Sequence, residues 1–421
     1  MKESFLHFVW KYKNFNFKQL KSTYGESIEI LNSGIHNNDQ GPDFLNAKIK
    51  IGETIYAGHV EIHIQNEDWY KHLHQNDPGY NNVILHVVFV NTSELYTLNQ
   101  AGHQIPILCL ENNIDSDLIA RQNELFLNTN EIKCLGLIRK MPEKIKYSNF
   151  LQRLVIERFE SKSNWMYQLL QTNNNNYENT FYQILFWGFG LKINAPYFLD
   201  IAQKTPQIVL AKCIDDLFQL EAILMGQAQI IDTATEYGMR LFKEYQYLAK
   251  KFQLEPTEIK PKYSKLFPSS FPTFRLAQFA AFIHNQKSLY SKLVDHRIVD
   301  LNHEVYDIQV SDFWKNHYSF KTENKKTNHK LSKDFIQKLY INSIIPLIYL
   351  KDRLHHESPT QALDMLAKLA PEKNSILTKM QNHLELSNKN AFESQALLQW
   401  YNNYCKMHRC TECVIGFEVL K

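Results

Sequence analysis

A chain of 421 residues is longer than one hydrophobic core usually serves, so two domains are expected. Hydrophobic residues at 44%, charged residues at 22%, and only 13 Gly and 13 Pro exclude a fibrous or loop-dominated chain. A net charge of +3 is too small to imply a polyanion partner, and nine Arg among the 47 basic residues leave few bidentate phosphate forks. Contact with nucleic acid would need a local basic patch.

Residues 1–13 mix Lys2, Glu3, Lys11 and Lys13 with Phe5, Leu6, Phe8, Val9 and Trp10, the pattern of a short amphipathic helix rather than a secretion signal. Residues 27–31 read as a strand and are followed by a polar, turn-rich stretch to residue 40. Residues 43–51 alternate apolar with polar, and 55–64 resume strand character with Ile55, Val60, Ile62 and Ile64. A short helix is expected over 66–75. Residues 81–90 are the most apolar strand, placed centrally in the sheet, and 105–110 add an edge strand. Asp115 caps a helix over 115–127.

The period changes after Pro142. Helices are expected over 147–170, 179–189, 213–228, 233–252, 274–284, 334–349 and 391–404, with surface connections at 255–272 and 321–330. The fold class is therefore an α/β N-terminal domain with a mixed sheet over 1–130. A mostly α-helical C-terminal domain over 131–421 follows and ends in a cysteine cluster. The longest apolar runs, such as 344–350, are too short to span a bilayer, so no membrane partner is expected. Six cysteines in a chain this long do not make a disulfide scaffold, and reduced thiols in a cytoplasmic protein are expected.

Histidines crowd the stretch from His59 to His86, where His63, His72 and His74 also fall. On an extended strand, His59, Glu61 and His63 share one face, which is either a site or a solvated side. Asp43 follows the Gly41-Pro42 turn. If 43–51 and 55–64 form a hairpin in which residue 51 faces 55, Asp43 faces His63 and the carboxylates of Asp43 and Glu61 converge with it. A loop one residue longer or shorter would flip one strand and scatter them. In another register Asp43 caps a turn and Glu61 pairs with Lys48 or Lys50. Convergent carboxylates repel, and Mg²⁺ or Mn²⁺ relieves the repulsion while activating water and neutralising phosphodiester charge. His72-x-His74 converges on a strand and diverges on a helix, and His86 in an apolar strand reads first as a hydrogen-bonded core histidine.

Pro42-Asp43 followed by Glu61-Ile62-His63 resembles the PD-(D/E)XK motif of the restriction-endonuclease-like superfamily, over about the first 130 residues. The resemblance implies a metal-dependent nuclease-like core acting on nucleic acid, with Asp43 and Glu61 ligating metal and His63, or second His59, in the lysine's place. A histidine there departs from the family's lysine, since an imidazole is only partly protonated at neutral pH. The competing class is a non-catalytic binding or scaffold protein with a degenerate nuclease-like domain and a structural metal site. Gly41-Pro42-Asp43-Phe44, Gly58-His59-Val60-Glu61-Ile62-His63, Asp68-Trp69, His72-Leu73-His74 and Ile84-Leu85-His86-Val87-Val88 resemble an uncharacterised bacterial family, domain of unknown function 2851. Tyr404-Cys405 and the run from Arg409-Cys410 through Cys413 to Gly416 fit the same resemblance.

Cys405-x4-Cys410-x2-Cys413, with His408 between, has metal-ligand spacing. Either these four residues close a zinc site, or a distant cysteine completes the set, Cys134 before Cys213, and an iron–sulfur cluster becomes an option. Some helicase-associated restriction-like nucleases pin their chain ends in this way. Buried reduced thiols are the metal-free alternative. Elsewhere, the aromatic run 311–318 is expected to dock a connection onto helices rather than stack on bases, and Arg275 to form an ion pair.

Overall fold

The computed structural model describes all residues except Asn38, Leu95, Arg139, Lys140, Asn285, Lys287, 325–327 and Glu385, so the connection expected at 321–330 lies partly outside the described residues. The chain divides into two compact units, Met1–Phe150 with Trp400–Lys421, and Leu151–Gln399. This replaces the expected boundary at 130 and the single helical domain running to the C-terminus. The last 22 residues pack into the first unit, because Phe417 lays its ring edge-on against Phe8 and Tyr12.

The first unit opens with helix α1, Glu3–Lys11, which buries Phe5, Leu6, Phe8, Val9 and Trp10. Its i, i+4 pair Glu3 and His7 shares the opposite face. The main sheet comprises β1 Leu20–Lys21, β2 Ser27–Asn32, β3 Ile35–His36, β4 Phe44–Ile51, β5 Thr54–Gln65, β6 Val83–Val90 and, beyond the small hairpin β7 Thr97–Leu98 and β8 Gln104–Ile105, strand β9 Ile107–Cys109. Its order is β1-β2-β4-β5-β6-β9, with β3 paired to β4. Strands up to β5 run antiparallel, whereas β5–β6 and β6–β9 are parallel. The sheet is therefore mixed, as expected. Strand β6 is enclosed on both sides by neighbours and buries Val83, Leu85, Val87 and Val88. Between β5 and β6 lie helix α2, Asp68–Lys71, and two 3₁₀ turns. Helix α3, Ser116–Leu127, is capped by Asp115, whose side chain accepts from Asp117 N at 2.9 Å.

The β4–β5 hairpin differs from expectation by its register. Ile51 pairs with Thr54 across a two-residue turn at Gly52-Glu53, one residue tighter than the expected loop. That change alone would have flipped one strand. An extra residue in β4 restores the parity: Ala47 pairs with Gly58 but Phe44 with Val60, and Asn46 at φ 57° occupies the bulge. Asn tolerates this left-handed conformation better than most side chains. Extending the Phe44–Val60 pairing by one step sets Asp43 opposite Glu61 rather than His63.

The second unit is helical. Helix Lys144–Thr172 leads into it, followed by Tyr177–Phe189, Leu191–Lys204, Gln207–Lys212, Leu217–Gln227, Glu236–Phe252, Pro272–His284 and, after irregular turns, Lys333–Leu339, Ile345–Leu354, Thr360–Lys368, Ser375–Leu384 and Ala391–Trp400. Helix Leu191–Lys204 escaped the sequence reading because Pro196 sits inside it. The aromatic run docks as expected: Trp314 is fully buried, and Phe313 stacks on Tyr237 at 4.3 Å. Among the described residues Arg275 does not make the expected ion pair; its guanidinium lies 4.0 Å over the Phe335 ring and donates to Gln278 Oε1 at 2.9 Å. Among the described residues no helix is long and apolar enough to cross a membrane.

Buried Glu221 accepts hydrogen bonds from Tyr237 and from Ser311 Oγ (3.1 Å). Burial outweighs these donors and pushes its carboxyl up to about 7. A folded-state value raised above the unfolded one contributes stability that is complete below about pH 4.5 and is lost as pH rises through 7. Between pH 4.5 and 8, wild type is expected to lose on the order of 3 kcal/mol relative to Glu221→Gln, followed by urea unfolding. Parallel pH profiles of the two proteins would remove this account.

Candidate functional site

Strand β5 carries the centre of the site. Glu61 and His63, two residues apart, share a face and are almost wholly buried, at 5% and 1% exposure. The solvated-side reading of this face is therefore excluded. Asp43 enters from the start of β4. Its backbone N–H donates to Glu61 Oε2 at 3.0 Å, and Ile62 N–H donates back to Asp43 Oδ2 at 2.9 Å. This reciprocal clamp ties the two acidic residues together across the hairpin mouth. Glu61 thus takes neither Lys48 nor Lys50 as partner; Lys50 stands 3.7 Å from Glu53 instead. Burial, and next the nearby charge of Asp43, push the Glu61 carboxyl up to about 9.

Two more histidines reach Glu61 and His63 from the β5–β6 connection. His72 ends α2 and His74 opens the following 3₁₀ turn. Leu73 between them adopts φ 62°, a left-handed conformation that is costly for a residue with a Cβ. This reversal is neither helix nor strand, and it turns both rings toward His63. Asp68 accepts from Gln65 N (3.0 Å) and pairs with Lys71 (2.8 Å), while Asp77 accepts from Gly79 N (2.8 Å). Those two acids hold the connection in shape.

One ligand atom each of His63, His72 and His74 lie within 4.8 Å of one another. His63 Nε2 is 3.1 Å from His72 Nδ1 and 3.6 Å from Glu61 Oε1, and His74 Nε2 is 3.3 Å from Glu61 Oε1. A tetrahedral zinc with Zn–N near ~2.05 Å has ligand–ligand edges of about 3.3 Å, so these separations suit one shared cation. His74 Nε2 is buried and has Glu61 Oε1 at 3.3 Å beside it, but among the described residues it makes no hydrogen bond. A buried nitrogen left so is costly unless it has a ligand to bind. His72 is exposed and forms the solvent side of the cluster.

Behind the cluster, His63 Nδ1 lies 2.9 Å from His86 Nε2, and His86 Nδ1 lies 2.9 Å from Thr97 Oγ1. If each Nδ1 carries the proton and donates, His63 Nε2 presents a lone pair to the cluster. His86 is thus both a satisfied core histidine and the group that orients a site histidine. Burial, then neighbouring histidines, hold His63 down at about 2, and burial holds His86 down at about 3. A neutral His63 cannot supply the positive charge that a lysine would. Trp69 and Tyr80 wall the cluster, Tyr80 stacking on His74 at 3.8 Å.

Helix α1 contributes what the sequence reading missed. His7 Nε2 stands 3.3 Å from Asp43 Oδ2. Burial pulls the His7 imidazole down, but the hydrogen bond to Asp43 and the charges of Asp43, Glu3 and Glu61 together raise it above its usual value. The signal available was the Glu3/His7 pair on the polar face of an otherwise apolar helix. His59, the second candidate for the lysine's place, is occupied elsewhere: its Nδ1 accepts from Asn46 N at 3.3 Å at the bulge.

The sequence profile of one family, Protein of unknown function (DUF2851), matches residues 3–375. The chain belongs to that family. The match includes Asp43, Glu61 and the clustered histidines and ends before Cys405. Neither a curated protein nor a solved structure matches the chain.

This DUF2851 protein has a second cluster in the same unit. Cys134, Cys405, Cys410 and Cys413 line one small cavity, with Lys133, Tyr404, Arg409 and Gly416. His408 is exposed and is not among the lining residues, and Cys213 belongs to the helical unit. Burial, then the neighbouring thiols, push Cys134 up to about 12 and raise Cys405; burial, then Cys413, push Cys410 up to about 11. The helical unit has an apolar cleft of about 360 Å³ walled by Phe181, Leu185, Phe279 and Tyr290. No metal-ligating cluster among the described residues falls in it.

Proposed function

We propose that this protein is a metal-dependent hydrolase of the nuclease-like class, acting on phosphodiesters of nucleic acid. The observation that carries the proposal is the convergence of His63, His72 and His74, with Glu61 Oε1 3.6 Å from His63 and 3.3 Å from His74, beside the Asp43–Glu61 clamp. Three imidazoles and one carboxylate make a nitrogen-rich set that favours Zn²⁺ or a similar transition ion over Mg²⁺. The expected Mg²⁺ or Mn²⁺ would rest on the carboxylates alone. In this reading the ion is held by Glu61 and the histidines, with His72 on the exposed side where substrate enters. When bound, it polarises a phosphoryl oxygen and lowers the pKa of a water. Asp43 orients that water or accepts its proton. His7, raised by Asp43, supplies the positive charge that His63 cannot.

Support for the nuclease class comes from order and placement. A helix, antiparallel strands, a short helix and a parallel strand follow one another, and Pro42-Asp43 and Glu61-Ile62-His63 meet at one end of the hairpin. One observation favours the competing reading: with Glu61, His63 and His74 buried, four protein ligands would leave no open position, as in a structural zinc site. The deciding experiment incubates the purified chain with mixed DNA and RNA substrates and Zn²⁺, Mn²⁺ or Mg²⁺, beside Asp43→Ala. Cleavage that needs metal and falls at least about a hundredfold in the variant supports the hydrolase, general acid–base groups contributing about that or more. Metal uptake without cleavage in any of the three supports the structural site.

A further inference from the structure

We propose that Cys134, Cys405, Cys410 and Cys413 hold an iron–sulfur cluster that fastens the C-terminal helix, Val414–Leu420, into the first unit. The proposal does not rest on the hydrolase reading. Two chain segments far apart in sequence bring four unoxidised thiols to one cavity. Three of them are buried, and each of Cys134 and Cys405 lies within electrostatic reach of the other cysteines. Reduced thiols could fill such a space as small apolar groups, but they would not need to gather from two distant segments.

The spacing of the sulfurs separates the candidate metals. Among the described residues, the tightly grouped ligand set is His63, His72 and His74, and the cysteine sulfurs are less closely gathered than those nitrogens. A single tetrahedral zinc with Zn–S of ~2.3 Å needs sulfur–sulfur edges of about 3.8 Å. A cluster of several irons holds its cysteine sulfurs farther apart, because each iron has its own ligands. The surroundings suit an anionic cluster. Trp400 Nε1–H donates to Cys413 Sγ at 3.0 Å inside the buried site. Lys2 and Lys133 exert a favourable charge on Cys410. Hydrogen bonds to sulfur and nearby positive charge are the usual means of stabilising bound thiolates. The backbone is shaped to the same end: a Cβ on Gly416 would sit 1.9 Å from the Cys410 carbonyl oxygen, so the last helix can lie against the cysteine turn only with glycine there. Cluster binding displaces four thiol protons, one from each cysteine, as the thiolates bond to iron. It consumes no other reactant than the preformed iron and sulfide.

The test uses the full chain, produced with iron in excess and purified without oxygen. Iron, acid-labile sulfide and zinc are measured, with the visible spectrum. The expected result is a brown protein with equal iron and sulfide, at least about two of each per chain. Cys134→Ser and Cys413→Ser are expected to lose the colour, whereas Cys213→Ser, altered in the other unit, keeps it. Zinc bound at the cysteines without sulfide overturns the proposal, as does wild type lacking iron. Zinc that survives both cysteine variants but not His74→Ala belongs to the histidine site and leaves the iron and sulfide reading to decide. Since the wild-type analysis is decisive by itself, a variant that fails to fold does not blur the outcome.

Discussion

Glu61→Gln is expected to weaken zinc binding by more than about a hundredfold while leaving the metal-free fold intact. Loss of a group that merely orients a ligand costs about tenfold to a hundredfold, and removing the charged ligand itself should exceed that. Glu61 is the anion among three imidazoles, with Oε1 3.3 Å from His74 Nε2 and 3.6 Å from His63 Nε2. Without its charge a divalent ion would meet only neutral nitrogens in a buried site, with nothing to offset its desolvation. The metal-free protein should tolerate the change for a specific reason. Burial, and next the nearby charge of Asp43, raise the Glu61 carboxyl and favour its neutral form, which the amide matches in shape and charge. The Asp43 N–H keeps an oxygen acceptor, provided the amide oxygen takes the Oε2 position. Competition against a zinc chelator reads the affinity, and thermal unfolding in chelator reads the fold. Equal zinc affinity in the two proteins would show that the four groups do not bind an ion together. Metal-dependent cleavage, where present, should fall with the affinity and not recover at saturating zinc if the ion is catalytic.

The largest stability effect is expected in the helical unit. Arg297→Ala should destabilise it by about 3–5 kcal/mol, the range for removing one partner of a buried ion pair. Asp352 is 1% exposed, on helix Ile345–Leu354, and both its oxygens are taken by the Arg297 guanidinium, at 3.0 and 2.6 Å. Two parallel charge-assisted bonds fix the geometry of the pair. Deleting the arginine leaves that charge buried, with Glu357 of the same sign 3.7 Å from where the guanidinium was. The double variant Arg297→Met with Asp352→Leu should recover most of the loss, since it removes the charge along with its partner. Guanidinium unfolding of the three proteins measures both steps. A single-variant loss below about 1 kcal/mol, typical of an exposed pair, would mean that solvent reaches Asp352 freely.

Much of the candidate site was legible before any coordinates. Alternation along 43–51 and 55–64, a turn at Gly52, and acids at 43 and 61 are properties of neighbouring residues, and they led to a hairpin with its carboxylates together at the open end. The details went astray at one residue. The turn is tighter than expected, and Asn46 in a bulge compensates, so Asp43 lies across from Glu61 and not from His63. Strand pairing has a period of two, and a single inserted residue leaves the hydrophobic pattern readable while changing every partner beyond it.

Sequence by itself determined the family, the division into an N-terminal mixed sheet and a mostly helical remainder, and the residue types able to hold metal, because these follow from local pattern and from motifs a few residues long. The tertiary structure alone decided that Leu73 takes a left-handed turn and aims His72 and His74 at His63, that His7 reaches Asp43 from α1, and that the segment Trp400–Lys421 belongs to the first unit and brings Cys405, Cys410 and Cys413 to Cys134. The physical reason is the same in each case. An unfavourable backbone conformation, a buried unpaired nitrogen or a thiol gathered from a distant segment is sustained by packing energy summed over many residues remote in sequence, and no short window of the chain contains that sum.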